Sequence, residues 1–283
     1  MTTSSPTFAV AFGGGGARGI AHIHIIEVLD ELGIKPVAIA GSSIGSIMGA
    51  GLACGMKGSE IRAYMTEIFT HNTEIAKRIW QTKPQSLSDL FHGGLKFSQF
   101  NIEKIIAAFL PDQVPVDFAG LNIPLQITAC DYYAARETVF DTGDLRSAIA
   151  ASCAIPPLFS PVRREGRIYL DGGLFNPVPY DLLSDKADII IAVDVIGVPP
   201  SDSERMPTTI EAMMASNMLT MRSIVTNKFL NCKPDIFLSP DVSHISLIDF
   251  WKIEQILTQS EKVRDHLKYA IDDVLKTHSA AGV

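Results

Sequence analysis

The chain has 283 residues, 47% of them hydrophobic and 19% charged, with 24 lysines and arginines against 31 aspartates and glutamates, a formal charge of −7. Apolar content at this level offsets ordering entropy and excludes a disordered chain. The acidic balance argues against a general nucleic-acid binder, whose affinity rests on basic residues meeting phosphates.

In chain order the elements alternate. Residues 8–12 are a short, fully apolar run, as expected of a strand buried on both faces, and Gly13 to Gly16 follow at once. From Ile20 the apolar residues fall at helical spacing (Ile23, Val28, Leu29, Leu32) until Gly33 and Pro36 stop the helix. Residues 37–40 read as a second strand, and Gly41 turns sharply into a helical stretch over 43–54. Repeated strand, glycine turn and helix imply parallel strands with crossover helices.

Residues 59–118 differ: they read as helix and loop with scattered aromatic side chains (Tyr64, Phe69, Trp80, Phe91, Phe97, Phe100, Phe109), a helical insertion or cap. Strand patterns resume at 125–129, 138–140, 167–170, 189–193 and 235–238, with helices over 145–152, 209–229 and 260–275. The expected fold class is α/β: a three-layer α/β/α domain with a mainly parallel central sheet. Residues 186–283 complete the domain begun at residue 7.

The four cysteines, Cys54, Cys130, Cys153 and Cys232, are far apart and form no C-x-x-C pair, so zinc spacings and a disulfide scaffold are not indicated and free buried thiols are expected. Residues 1–7 lack the basic start and long apolar stretch of a signal peptide, and no run reaches the ~18–20 apolar residues of a membrane span. The expectation is a soluble, cytoplasmic protein.

Gly14-Gly15-Gly16-Ala17-Arg18-Gly19 fits G-x-G-x-x-G between a strand and a helix. Successive glycines let backbone N–H groups converge with no Cβ in the way, and the helix start adds its positive dipole end, so the turn suits negative charge. A dinucleotide site needs an acidic residue at the end of the second strand, where Ala40-Gly41-Ser42 stands. A P-loop needs Lys and then Ser or Thr after the last glycine, where Ile20-Ala21 stands. The remaining charge is an oxyanion developing during acyl transfer.

Gly41-Ser42-Ser43-Ile44-Gly45 fits G-x-S-x-G, whose strained strand-to-helix turn lifts the central hydroxyl clear of the sheet. Ser43 is the candidate nucleophile, and Ser42 and Ser46 are read as packing or hydrogen-bonding residues. A serine needs a base. Of the downstream histidines, His71 and His92 fall in the insertion, His266 and His278 on a charged terminal helix, and His244 in a loop is the one plausible partner. Asp171 is better placed, at the end of the strand over 167–170 and followed by Gly172 and Gly173.

Taken in this order, the glycine turn, the serine elbow and Asp171-Gly172-Gly173, with the segment Ala151-Ser152-Cys153-Ala154-Ile155-Pro156-Pro157-Leu158-Phe159, resemble the patatin-like phospholipase family, over roughly residues 7–185. The short length resembles bacterial members related to the catalytic part of neuropathy target esterase. The resemblance implies a patatin-like catalytic domain and a serine–aspartate lipid acyl hydrolase acting on phospholipid, lysophospholipid or other fatty-acyl esters. In it Ser43 is the nucleophile and Asp171 accepts its proton. Amides around Gly14, Gly15 and Gly16 form the oxyanion hole, braced by Arg18 and closed by Gly19. Gly41 and Gly45 shape the elbow, and Gly172 and Gly173 the aspartate turn. No metal and no cofactor are implied.

Met214, Met218 and Met221 sit at helical spacing beside Ile210 and Met213, and read either as core or as a lipid channel, lid or subunit contact. Arg163, Arg164 and Arg167 read as a solvated turn, with an anionic head group or peripheral membrane contact as the other reading. A nucleotide-binding oxidoreductase and a non-catalytic lipid- or protein-binding regulator are the competing functions.

Overall fold

The computed structural model describes residues 5–71, 100–198 and 206–281. β1 (Phe8–Phe12) passes through the glycine turn and a 3₁₀ turn into α1 (His22–Glu31). β2 (Ala38–Ser42) leads into α2 (Ile44–Ala53), then α3 (Gly58–Thr66) and a π-helical turn at Glu67–His71. Next come α4 (Ile102–Phe109), β3 (Leu125–Asp131), β4 (Arg136–Phe140), α5 (Leu145–Ser152), β5 (Val162–Arg164) and β6 (Arg167–Asp171). β7 (Ile189–Val193), α6 (Thr209–Asn231), β8 (Ile236–Leu238), α7 (Ile253–Ser260) and α8 (Val263–Ala281) complete the described chain.

The sheet has eight strands in the order β5-β6-β3-β2-β1-β7-β8, with β4 also on β3. The run β3-β2-β1-β7-β8 is parallel, whereas β4, β5 and β6 pair antiparallel. β1 alternates in size. Phe8, Val10 and Phe12 enter a large core shared with α1, α2, α3 and α8, while Ala9 and Ala11 face the other side. There the small side chains of Ala38, Ala40 and Ala192 let Tyr180, Leu183 and two residues of α6, Met221 and Val225, pack close. That makes the three layers.

Helix starts follow local capping. Asn101 accepts from the Lys104 amide at 3.0 Å and Asp144 from the Ser147 amide at 2.7 Å, each satisfying an orphan N–H of the first turn. Thr208 and Glu211 form a reciprocal capping box at the head of α6.

Three expectations are corrected. The solvated-turn reading of Arg163, Arg164 and Arg167 holds for the exposed Arg163 and Arg167, which flank a hairpin turn, but not for Arg164: Val162–Arg164 is a strand, and the Arg164 guanidinium is buried, donating to the carbonyls of Asp144 at 2.6 Å and Thr142 at 3.3 Å. The helix read over 260–275 starts at Val263 and runs on to Ala281 as α8, and α7, ending at Ser260, is a separate helix before it. The cysteines are free, but only Cys130 and Cys153 are buried; Cys54 is half-buried and Cys232 exposed. Trp80, Phe91, Phe97 and His92 of the 59–118 segment lie outside the described residues.

Candidate active site

One edge of β3 brings the site together. Residues 127 and 128 of β3 pair with both β2 and β4, and residues 129–131 pair with both β6 and β4. A strand has two edges, so β2 and β6 share the edge opposite β4. β2 runs up that edge and stops at Ser42, opposite Thr128; β6 runs down it and stops at Asp171, opposite Ala129. The two strand ends meet head-on. Ser43, the next residue of the β2 chain, donates from Oγ to Asp171 Oδ2 at 2.7 Å.

Ser43 takes φ 51°, ψ −126°, a region costly for a residue with a Cβ and the strained elbow that G-x-S-x-G suggests. Neighbours hold it there: its amide donates to Ser152 Oγ at 2.8 Å, and its carbonyl accepts from Ser46 Oγ at 2.6 Å. Asp171 Oδ1 accepts from the Gly173 amide at 2.8 Å, which fixes the carboxylate and leaves Oδ2 for the serine. Asp171 is 1% exposed, and burial pushes its carboxyl up to about 6 against the pull of both hydrogen bonds.

The glycine turn lies beside this pair: a Cβ on Gly14 would touch Ser43 Cβ at 3.2 Å. Its amides are not equivalent. Gly13 and Gly14 N–H groups are spent on the carbonyls of Val193 and Pro177, both at 2.9 Å. Among the described residues the N–H groups of Gly15 and Gly16 have no partner, and both glycines line the cleft that holds Ser43 and Asp171. A side chain at either position would run into a carbonyl, of Val195 or Leu247, and Gly16 has φ +59°. Gly19 and Gly45 have packing roles, against Ile44 and the Phe12 carbonyl; Gly41 lies under α2 and Gly172 under the Thr128 carbonyl.

The cleft is about 390 Å³, within the usual range of ligand sites. Its walls are apolar apart from Ser43, Asp171, Arg18 and Cys153. Phe69, Phe100 and Phe109 from the described part of 59–118 form one wall, Met218 and Met221 of α6 another, and Ile248 and Trp251, 46% and 61% exposed, stand at its mouth. The methionine stripe is thus divided: Met218 and Met221 are buried cleft wall, while Met213 is exposed.

Arg18 does not reach into the cleft as a free cation. Its Nε donates to the Ile245 carbonyl at 2.7 Å and both terminal nitrogens lie 3.3 Å from Met218 Sδ, so it ties the glycine turn to residue 245 and to α6. Burial draws the guanidinium down to about 10, with Asp194 opposing. His22, absent from the sequence reading, supports the same turn. Its Nε2 sits 2.9 Å from the Gly13 carbonyl, and burial lowers it to about 4, so the ring is neutral and donates. His244 is not brought to the site: it is exposed and pairs with Gln259.

Ser152 is the other supporting residue missed. It stands in the segment quoted for the resemblance, but only the fold places its hydroxyl on the Ser43 amide. A wider depression of about 630 Å³ is lined by Glu27, Arg62 and Arg264, whose charges pair with one another. Among the described residues no three His, Cys, Asp or Glu side chains gather as a metal site, and no helix is long and apolar enough to cross a membrane.

Residues 10–184 match the family model described as patatin-like phospholipase. Among similar curated proteins, an uncharacterized NTE family protein of Mycobacterium tuberculosis is 36% identical over 198 residues, covering 69% of this chain and 51% of its own. Patatin-like phospholipase domain-containing protein 6 of Homo sapiens is 31% identical over 195 residues, 67% of this chain and 13% of that one. The chain therefore spans about half the length of the mycobacterial relatives. Among solved structures, VipD from Legionella pneumophila gives a TM-score of 0.46 at 12% identity, covering 91% of this chain and 67% of that one. With the family model matched along the same stretch that carries the glycine turn, the serine elbow and the aspartate turn, the chain belongs to the patatin-like phospholipase family.

Proposed function

We propose that this chain hydrolyses fatty-acyl esters of lipids, phospholipid or lysophospholipid among them, through an acyl-serine intermediate. The observation that carries the reading is the 2.7 Å hydrogen bond from Ser43 Oγ to a buried carboxylate, set in an apolar cleft.

Ser43 Oγ attacks the ester carbonyl carbon while its proton passes to Asp171 Oδ2. An ordinary aspartate near 3.8 is a feeble base for a hydroxyl, and the upward shift to about 6 narrows the mismatch while leaving the group ionised at neutral pH. Charge collects on the carbonyl oxygen, and the Gly15 and Gly16 N–H groups are the donors free to meet it. The tetrahedral adduct collapses, the C–O bond to the alcohol breaks, and Asp171 returns the proton to the departing oxygen. Water, deprotonated by Asp171, then attacks the acyl-Ser43 carbonyl. Fatty acid leaves and Ser43 is restored with its proton. The apolar walls receive the acyl chain and exclude bulk water from the carboxylate.

Fatty-acid release measured across phospholipids, lysophospholipids and acylglycerols tests this. The native protein releases acid from at least one class, and Ser43→Ala and Asp171→Asn release none above background. Hydrolysis retained by Ser43→Ala overturns the proposal. Loss in His244→Ala with Asp171→Asn active replaces the dyad by a triad.

A further inference from the structure

Two hairpins rise from the sheet edge that carries Ser43. β3 continues past Ala129, the residue level with the Ser43–Asp171 pair, through Cys130 and Asp131 into a turn at Tyr132 and Tyr133. At ~3.3 Å per residue, Tyr132 stands roughly 10 Å beyond the pair. β5 and β6 form the neighbouring hairpin: Arg164 pairs with Arg167 across its tip, and the Tyr132 amide donates to the Ile168 carbonyl at 2.9 Å, locking the two hairpins side by side.

These tips are chemically unlike the rest of an acidic chain. Tyr132 and Tyr133 are 54% and 82% exposed, their rings in a T-shaped pair 4.9 Å apart. The same two hairpins carry four arginines, Arg136, Arg163, Arg164 and Arg167, of which Arg164 is buried with its guanidinium over the Phe140 ring. Arg167 is matched by Asp131 at 2.7 Å and Arg164 by Glu165 at 3.6 Å. Arg136 and Arg163 are exposed and have no salt-bridge partner among the described residues. The patch therefore carries two uncompensated positive charges on a molecule of net charge −7. Exposed tyrosines with apolar rings and polar tips, flanked by free guanidinium groups, suit the head-group level of a bilayer with anionic lipid.

We propose that the tips of the β3–β4 and β5–β6 hairpins are a docking surface for an anionic bilayer, which sets the cleft at the lipid surface. The choice of a bilayer as the occupant rests on the lipid-ester reading above. The contact is weak and reversible, since two charges and two aromatic rings fall far short of an inserted anchor. Its charge complementarity is local and runs against the overall repulsion of an acidic protein from an anionic membrane.

Sedimentation with vesicles tests the surface without turnover, on Ser43→Ala protein. The vesicles are phosphatidylcholine alone or with about a third phosphatidylglycerol. The protein should bind the anionic vesicles, release them at high salt, and bind phosphatidylcholine far less. Each free arginine should contribute about fivefold, so Arg136→Gln with Arg163→Gln weakens binding roughly 25-fold. Tyr133→Ser, a change at a loop tip, keeps the test open if the arginine pair harms folding. In otherwise native protein these substitutions leave hydrolysis of a soluble short-chain ester unchanged and lower hydrolysis on anionic vesicles. Equal binding by the substituted and parent proteins, or no preference for the anionic vesicles, overturns the surface. Salt-sensitive binding without Ser43-dependent hydrolysis of any ester keeps the surface and refutes the catalytic reading instead.

Discussion

Replacing Asp171 by Asn should abolish turnover and at the same time stabilise the fold, and the two effects come from the same burial. The carboxyl is pushed up to about 6 from an ordinary 3.8, so the folded state holds its proton more tightly than the unfolded chain does. The stability this group contributes is fully present below about 3.8 and is lost as pH rises through about 6. Above that, ionised Asp171 costs the fold about 3 kcal/mol, the shift of about two pH units converted at 1.36 kcal/mol each. Asn carries no such cost. Its amide oxygen can still accept from the Gly173 amide, and its NH₂ can donate to Ser43 Oγ, so the two hydrogen bonds of the native carboxylate keep their geometry. Paired thermal melts of the native and Asn proteins should therefore separate by roughly 6 °C at pH 8, at about 2 °C per kcal/mol for a chain of this size. By pH 4.5 the stabilisation should shrink to about 1 kcal/mol, because the native carboxyl is then largely protonated in the folded state. Comparison at each pH cancels the other titrating groups. An Asn protein less stable than native at pH 8, or a difference that does not change between the two pH values, would refute the claim that Asp171 is ionised at a desolvation cost.

Further outcomes follow from the same geometry. The kcat/KM for a soluble ester should rise with pH through about 6 as one proton leaves Asp171, and a flat profile from pH 4.5 to 8 in initial-rate assays would count against it as base. Ser152→Ala leaves the Ser43 amide without its side-chain partner; a cost of about 1–3 kcal/mol in melts and a 10- to 100-fold fall in kcat at little-changed KM are expected. Gly16→Ala forces a Cβ into the Leu247 carbonyl at φ +59°, so both melting temperature and ester turnover should fall, and unchanged turnover would remove Gly16 from the oxyanion role. Met218→Ala removes the sulfur that both terminal nitrogens of Arg18 face; a loss of about 2–5 kcal/mol for the buried truncation should appear in denaturant melts.

Much of the molecule can be read along the chain because its signals are local. The apolar run of β1, the stop of α1 near Gly33, and the span of α5, which begins after a capping Asp144, each depend on neighbours within a few residues. The serine elbow and the aspartate turn are likewise short. What the chain order hides is their meeting: nothing near residue 43 or 171 says that β2 and β6 share one edge of β3 and end against each other. The same holds for Arg18, whose partners lie 200 and 227 positions away, and for the Gly14 amide, which the Pro177 carbonyl consumes. β5 escapes because it is three residues long with one apolar side chain, and its buried arginine is paid for by carbonyls that no pattern reveals.

Mass mapping of a fluorophosphonate adduct bears most directly on the central claim that Ser43 is activated by Asp171. The native protein should carry one adduct, on the peptide containing Ser43, and labelling of the Asp171→Asn protein should be slower by a factor of about 100 or more. An adduct on a different serine, or labelling of Ser43 at the same rate in both proteins, would contradict it.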